Sequence, residues 1–333
     1  MDTMSISGKF HGIGQRVKNY PVPGKALDNN LIKANNLMQE KALDQLNTTL
    51  LDQGYIADPP ILMSLFLAQK LQRPLLVEGP PGVGKTEIAK VLAKANHTEL
   101  IRLQCYEGLN AEQSLYEWNY QKQLLSLKMM ETEQRSLEEK EAFIFSENFL
   151  LERPLLKAIT RPKAPVLLID EVDRADEEFE SFLLEILSDW QISIPELGVV
   201  KATQIPQVVI TSNRMRDLSE ALRRRCFYLW IDYPEFEKEL TIVRNKVPNI
   251  DKKLGEQICL FMKELRQQKL EKIPGIAETL DWAQALAALH IDSLDKQVVE
   301  DTLGIILKDW KDIRATSQTL TQLFEQVGVV QKL

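Results

Sequence analysis

The segment Pro74 to Thr86, PLLVEGPPGVGKT, runs a short apolar stretch into G-x-x-x-x-G-K-T, and it constrains this chain more than any other. Gly79, Gly82 and Gly84 let the backbone curl with its N–H groups pointing inward, and a following helix adds the positive end of its dipole. Such a cradle suits nucleotide phosphates. Lys85 supplies a point charge for the β- and γ-phosphates, Thr86 supplies a hydroxyl for magnesium, and Pro80, Pro81, Val83 and Glu87 complete the segment. The flanks fit the motif: Leu75 to Val77 read as a buried strand, and Glu87 to Ala93 as a helix with an apolar face.

Further apolar runs mark more strands, Leu100–Cys105, Val166–Ile169, Gln207–Thr211 and Phe227–Ile231. Helical segments separate them, which predicts an α/β fold: a P-loop αβα sandwich with a mainly parallel sheet. Past Pro234 only helical patterns remain, so a small all-helical lid domain is expected over 235–333, after a nucleotide-binding domain over 45–234. Residues 1–44 read as an N-terminal arm, with Gly8, Gly12, Gly14, Pro21, Pro23, Gly24 and the Asn29-Asn30 pair. Residues 106–165 have no evident place in the sheet and read as a helical insertion. Trp118 and Tyr120 there fit either a functional surface or a packed anchor. Tyr55 and Ile56, before the second helix, fit either an adenine pocket or the cover of a domain edge.

Hydrolysis of a bound nucleotide requires magnesium beside the phosphates and a water aligned for attack. Asp170 and Glu171 end the run Val166–Ile169, so the strand delivers both carboxylates to the sheet edge where ligands bind. Asp170 suits magnesium, held together with Thr86 largely through water, and Glu171 suits the activation of water. Ser212-Asn213 ends the next strand in the same way, bringing an amide to that edge. Arg223-Arg224-Arg225 precedes the fifth strand and fits a solvated basic turn, an acid-binding patch, or guanidinium groups that reach the nucleotide of an adjacent subunit.

The order GPPGVGKT, LLIDEVDRA, VVITSN and ALRRRCF, followed by a helical region, resembles an AAA+ ATPase. Asp170 to Ala175 and the helix Phe179 to Leu187 are similar to the MoxR group. Tyr106 to Leu109, Glu117 to Tyr120, Ile194 to Gly198 and Pro274 to Trp282 resemble the branch associated with carbon monoxide dehydrogenase maturation. The resemblance implies a hexameric ring with ATP and Mg2+ at each interface. It also implies Asn213 as sensor, Arg224 and Arg225 as trans-acting arginines, and a chaperone-like role toward a metalloenzyme client with a von Willebrand factor A (VWA) domain partner. One departure stands out. Where many relatives place a γ-phosphate arginine, Gly275 to Trp282 holds Glu278 and no arginine, leaving Arg266 or Lys272 as stand-ins.

The bulk numbers bear on partners. Lys+Arg 41 against Asp+Glu 48 gives a net charge of −7, which disfavours a dedicated duplex-DNA binder. A nucleic-acid-translocating or restriction-associated motor stays as the alternative, supported by the arginine run. A nucleotide-gated module without turnover is opposed by the intact acidic pair. Cys105, Cys226 and Cys259 lie far apart, as do His11, His97 and His290, so no protein-ligated metal centre or disulfide framework is signalled. With no leader-like apolar core and no run of about 18 apolar residues, a cytoplasmic protein without a transmembrane segment is expected.

Overall fold

The computed structural model describes residues 29–130 and 136–327. Helices α1 (Asn29–Asp52) and α2 (Pro59–Leu71) precede strand β1 (Leu75–Glu78), the glycine-rich loop and α3 (Lys85–Ala95). Strand β2 (Leu100–Gln104) leads into α4 (Ala111–Leu115), β3 (Tyr116–Trp118), α5 (Tyr120–Met129), α6 (Leu137–Ile144), β4 (Leu150–Glu152) and α7 (Pro154–Thr160). Next come β5 (Val166–Asp170), α8 (Glu177–Asp189), β6 (Gln191–Ile194), β7 (Gly198–Lys201), β8 (Gln207–Ser212), α9 (Glu220–Arg225) and β9 (Phe227–Trp230). Helices α10 (Phe236–Lys246), α11 (Lys252–Arg266), α12 (Ile276–Ala288), α13 (Lys296–Ile306) and α14 (Trp310–Val327) complete the described chain.

The main sheet has the order β2-β5-β8-β1-β9, and every neighbouring pair in it is parallel. Alternate residues of a strand point to opposite faces, so a run such as Val166–Ile169 must bury both. Leu167 and Ile169 join Leu76 and Ile210 beneath Leu155 of α7, Leu183 of α8 and Leu222 of α9. Val166 and Leu168 join Leu75, Val77 and Val209 beneath Leu65 of α2 and Ile88 of α3. The result is the αβα sandwich. Because all five strands run the same way, their carboxyl ends line up along one edge, where the acidic pair and the glycine loop meet.

Two boundaries differ from the sequence expectation. The arm over 1–44 is helical from Asn29 onward, because asparagine favours helix starts as well as turns. Residues 1–28, with the glycines and prolines that suggested the arm, lie outside the described residues. The insertion over 106–165 is narrower than expected and not wholly helical. Its last helix, α7, buries Leu155, Leu156 and Ile159 in the sheet core, so it belongs to the sandwich. The signal was slight: seven residues opening on Pro154, a residue at home in a first helical turn. Within the insertion β3 and β4 pair antiparallel, with Trp118 opposite Leu150. Trp118 is a packed anchor, buried edge-on against Tyr116 and Phe145, whereas Tyr120 is exposed.

The C-terminal helices have their own core of Val243, Ile258, Phe261, Trp282, Leu303 and Phe324. Trp282 Nε1 donates to Thr302 Oγ1 at 2.8 Å, so the largest buried ring keeps a polar partner. Arg266 is tied down here. It donates to both oxygens of buried Glu239 at 2.6 and 2.7 Å, to Thr279 Oγ1 at 2.9 Å and to the Pro274 carbonyl at 2.8 Å. That corrects the idea of Arg266 as a γ-phosphate contact: the guanidinium fastens the start of α12 to α10 and α11. Removing one member of a buried, hydrogen-bonded ion pair strands the other charge, a loss of about 3–5 kcal/mol. Arg266→Leu is therefore expected to lower the chemical-denaturation stability of the nucleotide-free protein by that amount, a result an arginine serving only the nucleotide would not give.

Candidate active site

Strand β1 ends on Glu78, and the loop from Gly79 delivers the chain to Gly84, the N-cap of α3. Gly79 is obligatory by space: a Cβ there would lie 2.0 Å from the Ile231 carbonyl oxygen beside it. Lys85 is buried and folds back, its Nζ donating to the carbonyls of Gly79 at 2.8 Å and Pro80 at 2.6 Å. Burial pulls its ammonium down to about 8, while Asp173, Asp170 and Glu171 push the other way. An arriving polyanion strengthens the charged form. Glu87, in the first turn of α3, meets Lys90 at 3.4 Å and Lys246 of α10 at 3.5 Å.

The ends of β5 and β8 supply the acidic centre. Asp170 Oδ1 accepts from Thr86 Oγ1 at 3.0 Å and from Thr211 Oγ1 at 2.5 Å. Its Oδ2 accepts from Arg102 Nε at 3.0 Å and Nη2 at 2.6 Å. Glu171 stands in the left-handed backbone region at φ 55°, a strain of about 1–2 kcal/mol that turns its side chain off the strand path. The Glu171 amide donates to Thr211 Oγ1 at 2.9 Å. Its carboxylate accepts from Gln104 Nε2 at 3.0 Å, Arg174 Nε at 2.8 Å and Asn213 Nδ2 at 3.3 Å. Asn213 is held in turn by its own amide, which donates to Asp173 at 3.2 Å. The sequence-predicted Lys85, Thr86, Asp170, Glu171 and Asn213 thus meet at one place.

They line a cavity of about 460 Å³ that also includes Pro81, Gly82, Val83, Gly84 and Glu87. Gly79 and Pro80 contribute through the carbonyls that hold Lys85. An apolar wall comes from Tyr55, Ile56, Ile242 and Leu280, so the first two face the cavity rather than merely covering an edge. The lid closes one side. Ala277 N donates to the Gly82 carbonyl at 3.2 Å, and Gly275 lies so near that a Cβ on it would come within 2.6 Å of Gly82 C. Glu278 accepts from Gly275 N at 2.8 Å, capping its own helix.

The arginine run divides. Arg223 Nη2 pairs with buried Glu78 at 2.9 Å inside the subunit. Arg224 is exposed and pairs with Glu220 at 2.6 Å, while Arg225 Nε donates to Ser188 Oγ at 2.6 Å. The backbone carbonyls of both accept from Arg73, fixing the turn that presents them. Cys105, Cys226 and Cys259 are buried and free, and burial pushes each thiol up to about 12, outside useful nucleophilic range. Arg102, Gln104, Thr211, Asp173 and Arg174 escaped the sequence analysis. For two of them a signal existed: Arg102-Leu103-Gln104 alternates polar with apolar, marking a strand face that leans toward the site.

The chemistry of the donor set fits a nucleotide with magnesium. A glycine-lined loop opens onto a helix N-terminus, a lysine is buried beneath it, and a hydroxyl and a carboxylate lie 3.0 Å apart as hard oxygen donors. Residues 74–226 match the model of the AAA domain, dynein-related subfamily, and the chain is an ATPase. Among curated proteins, an uncharacterized protein of Staphylococcus haemolyticus (strain JCSC1435) is 26% identical over 245 residues, spanning 70% of this chain and 85% of the relative. An uncharacterized protein of Staphylococcus aureus (strain NCTC 8325 / PS 47) matches to the same extent, 26% over 245 residues, 70% and 85%. Among solved structures, a point mutant of RuvB from Thermotoga maritima is 19% identical, with a TM-score of 0.44 over 81% of each chain. No helix among the described residues is long and apolar enough to cross a membrane.

Proposed function

We propose that this ATPase is magnesium-dependent, works as a ring, and uses hydrolysis to remodel or activate a protein client. The single observation that carries this reading is the convergence of Lys85, Thr86, Asp170, Glu171 and Asn213 on one cavity beneath the lid. Lys85 and the loop amides hold the phosphates; Thr86 and Asp170 hold magnesium, largely through water. The bound metal supplies charge neutralisation at the transferring phosphoryl group. Glu171 orients and deprotonates the attacking water, Asn213 positions Glu171, and Arg224 or Arg225 reaches a neighbouring subunit's site.

The motif set, Asp170 to Ala175 with the Phe179 to Leu187 helix and the segments at 106–109, 117–120, 194–198 and 274–282, supports placement in the MoxR group, near the carbon monoxide dehydrogenase maturation branch, with a metalloenzyme client and a VWA-domain partner. A nucleic-acid motor is the alternative, and its main support weakens because Arg223 is spent on Glu78. A phosphate-tracking motor needs a cationic path whose affinity falls steeply with salt. DNA and RNA are accordingly expected to leave the ATPase rate unchanged at near-physiological salt, while a VWA-domain partner changes it. Affinity capture from the native cell with a Glu171→Gln trap identifies the client. Salt-sensitive stimulation by nucleic acid, lost on neutralising lysines outside the site, would transfer the assignment to the motor.

A further inference from the structure

Asp170 is saturated in a way its magnesium role does not explain. An ionised carboxylate offers about four acceptor positions, and four donor contacts reach this one: Thr86 and Thr211 on Oδ1, and Arg102 Nε and Nη2 on Oδ2. A water shell around a metal must donate to the same oxygens, so one of these donors has to leave. The two threonines are poor candidates. Thr211 lies buried within β8 and also accepts from the Glu171 amide, and Thr86 sits on the first turn of α3 with a short side chain.

Arg102 is different. It projects from β2, an edge strand of the sheet, and its side chain is half exposed although the carboxylate it grips is only 4% exposed. Its long stem can swing away without moving the backbone, and its guanidinium is fully hydrated once released. A cation held bidentately at the mouth of a buried carboxylate has the sign and position that a metal's hydration shell needs, and the two cannot share Oδ2 at full strength.

We propose that Arg102 is an intramolecular competitor for the magnesium site: it neutralises Asp170 in the nucleotide-free subunit and must be displaced when magnesium arrives with nucleotide. This rests on the assignment of Asp170 and Thr86 to magnesium made above. The competition has a second consequence. Arg102 Nη2 also donates to Gln104 Oε1, and Gln104 Nε2 donates to Glu171 Oε2 at 3.0 Å. Displacing Arg102 withdraws one tie on Gln104, which together with Arg174 and Asn213 holds Glu171. Arg102 is thus a positioning residue that couples metal occupancy to the freedom of the catalytic carboxylate.

The test needs no turnover. Binding of a non-hydrolysable ATP analogue to the full chain is followed by calorimetry and by thermal shift across a buffered magnesium series. The wild type, Arg102→Gln and Arg102→Lys are compared, with Lys85→Ala as the non-binding control. Arg102→Gln removes the charge and is expected to lower the magnesium concentration at half-saturation by roughly five- to tenfold, the scale of a partly exposed ion pair to a buried partner. Arg102→Lys keeps the charge without the bidentate grip and is expected to fall between the two. Analogue binding in chelator alone should be unchanged in all three. A magnesium midpoint that stays put, or rises, in a folded Arg102→Gln protein overturns the competition. If the wild type itself shows no magnesium-dependent binding, it is the metal assignment of Asp170 that fails instead.

Discussion

Glu171→Gln is expected to bind ATP with near-normal affinity and to lose turnover by about 10²- to 10⁴-fold, the usual contribution of a positioned general base. The substitution keeps the length and shape of the side chain, and Gln can still accept from Asn213 Nδ2, 3.3 Å from Oε1 in the wild type. It cannot take a proton from water. It also gives up the ion pair with Arg174, a partly exposed contact worth no more than about 1 kcal/mol, so the fold should survive. Single-turnover hydrolysis and filter binding on the same preparation separate the two effects. Hydrolysis at the normal rate would remove Glu171 from the catalytic role.

The second large effect is expected at the arginines. Arg224→Ala or Arg225→Ala should cut turnover by something like 10³-fold with little change in ATP affinity, if either guanidinium completes a neighbour's site. The geometry refines that expectation within the run. Arg223 is committed to Glu78 at 2.9 Å, so Arg223→Ala should act on stability first, by leaving a fully buried carboxylate short of its main partner. Arg224 faces solvent and pairs with Glu220 four positions before it, and Arg225 holds a serine hydroxyl, so both can be redirected at low cost. Mixing gives the direction of action. An arginine variant and Glu171→Gln, each inactive alone, should recover activity in rings that exchange subunits, since some interfaces then carry an intact arginine opposite an intact Glu171. No recovery in demonstrably mixed rings would remove the trans role.

What the sequence determined by itself is what depends on near neighbours along the chain. The glycine loop followed by Lys85-Thr86, and the acidic pair at the end of an apolar run, are local chemistry, and local spacing was enough to read them. The three inner strands, β5, β8 and β1, were legible for the same reason, because a run that must bury both faces is apolar through most of its length, while the edge strands β2 and β9 showed as shorter or interrupted apolar runs. Glu278 was also noticed locally, but its job was not: only the folded lid shows it capping Gly275 beside Gly82. Strand order is another matter. That β2 lies next to β5, and β8 between β5 and β1, is a global outcome, and no short stretch encodes it. It brings Arg102 to Asp170 across 68 positions, Arg223 to Glu78 across 145 and Gln104 to Glu171 across 67. Arg266, a stand-in candidate for the phosphate contact by sequence, is instead bound to Glu239, 27 residues away, because helix packing in the lid sets that buried carboxylate against its guanidinium. The sequence thus names the groups that do chemistry. The tertiary structure decides which of its many charged side chains are free to join them, since a long arginine or lysine goes to the nearest buried carboxylate the fold presents.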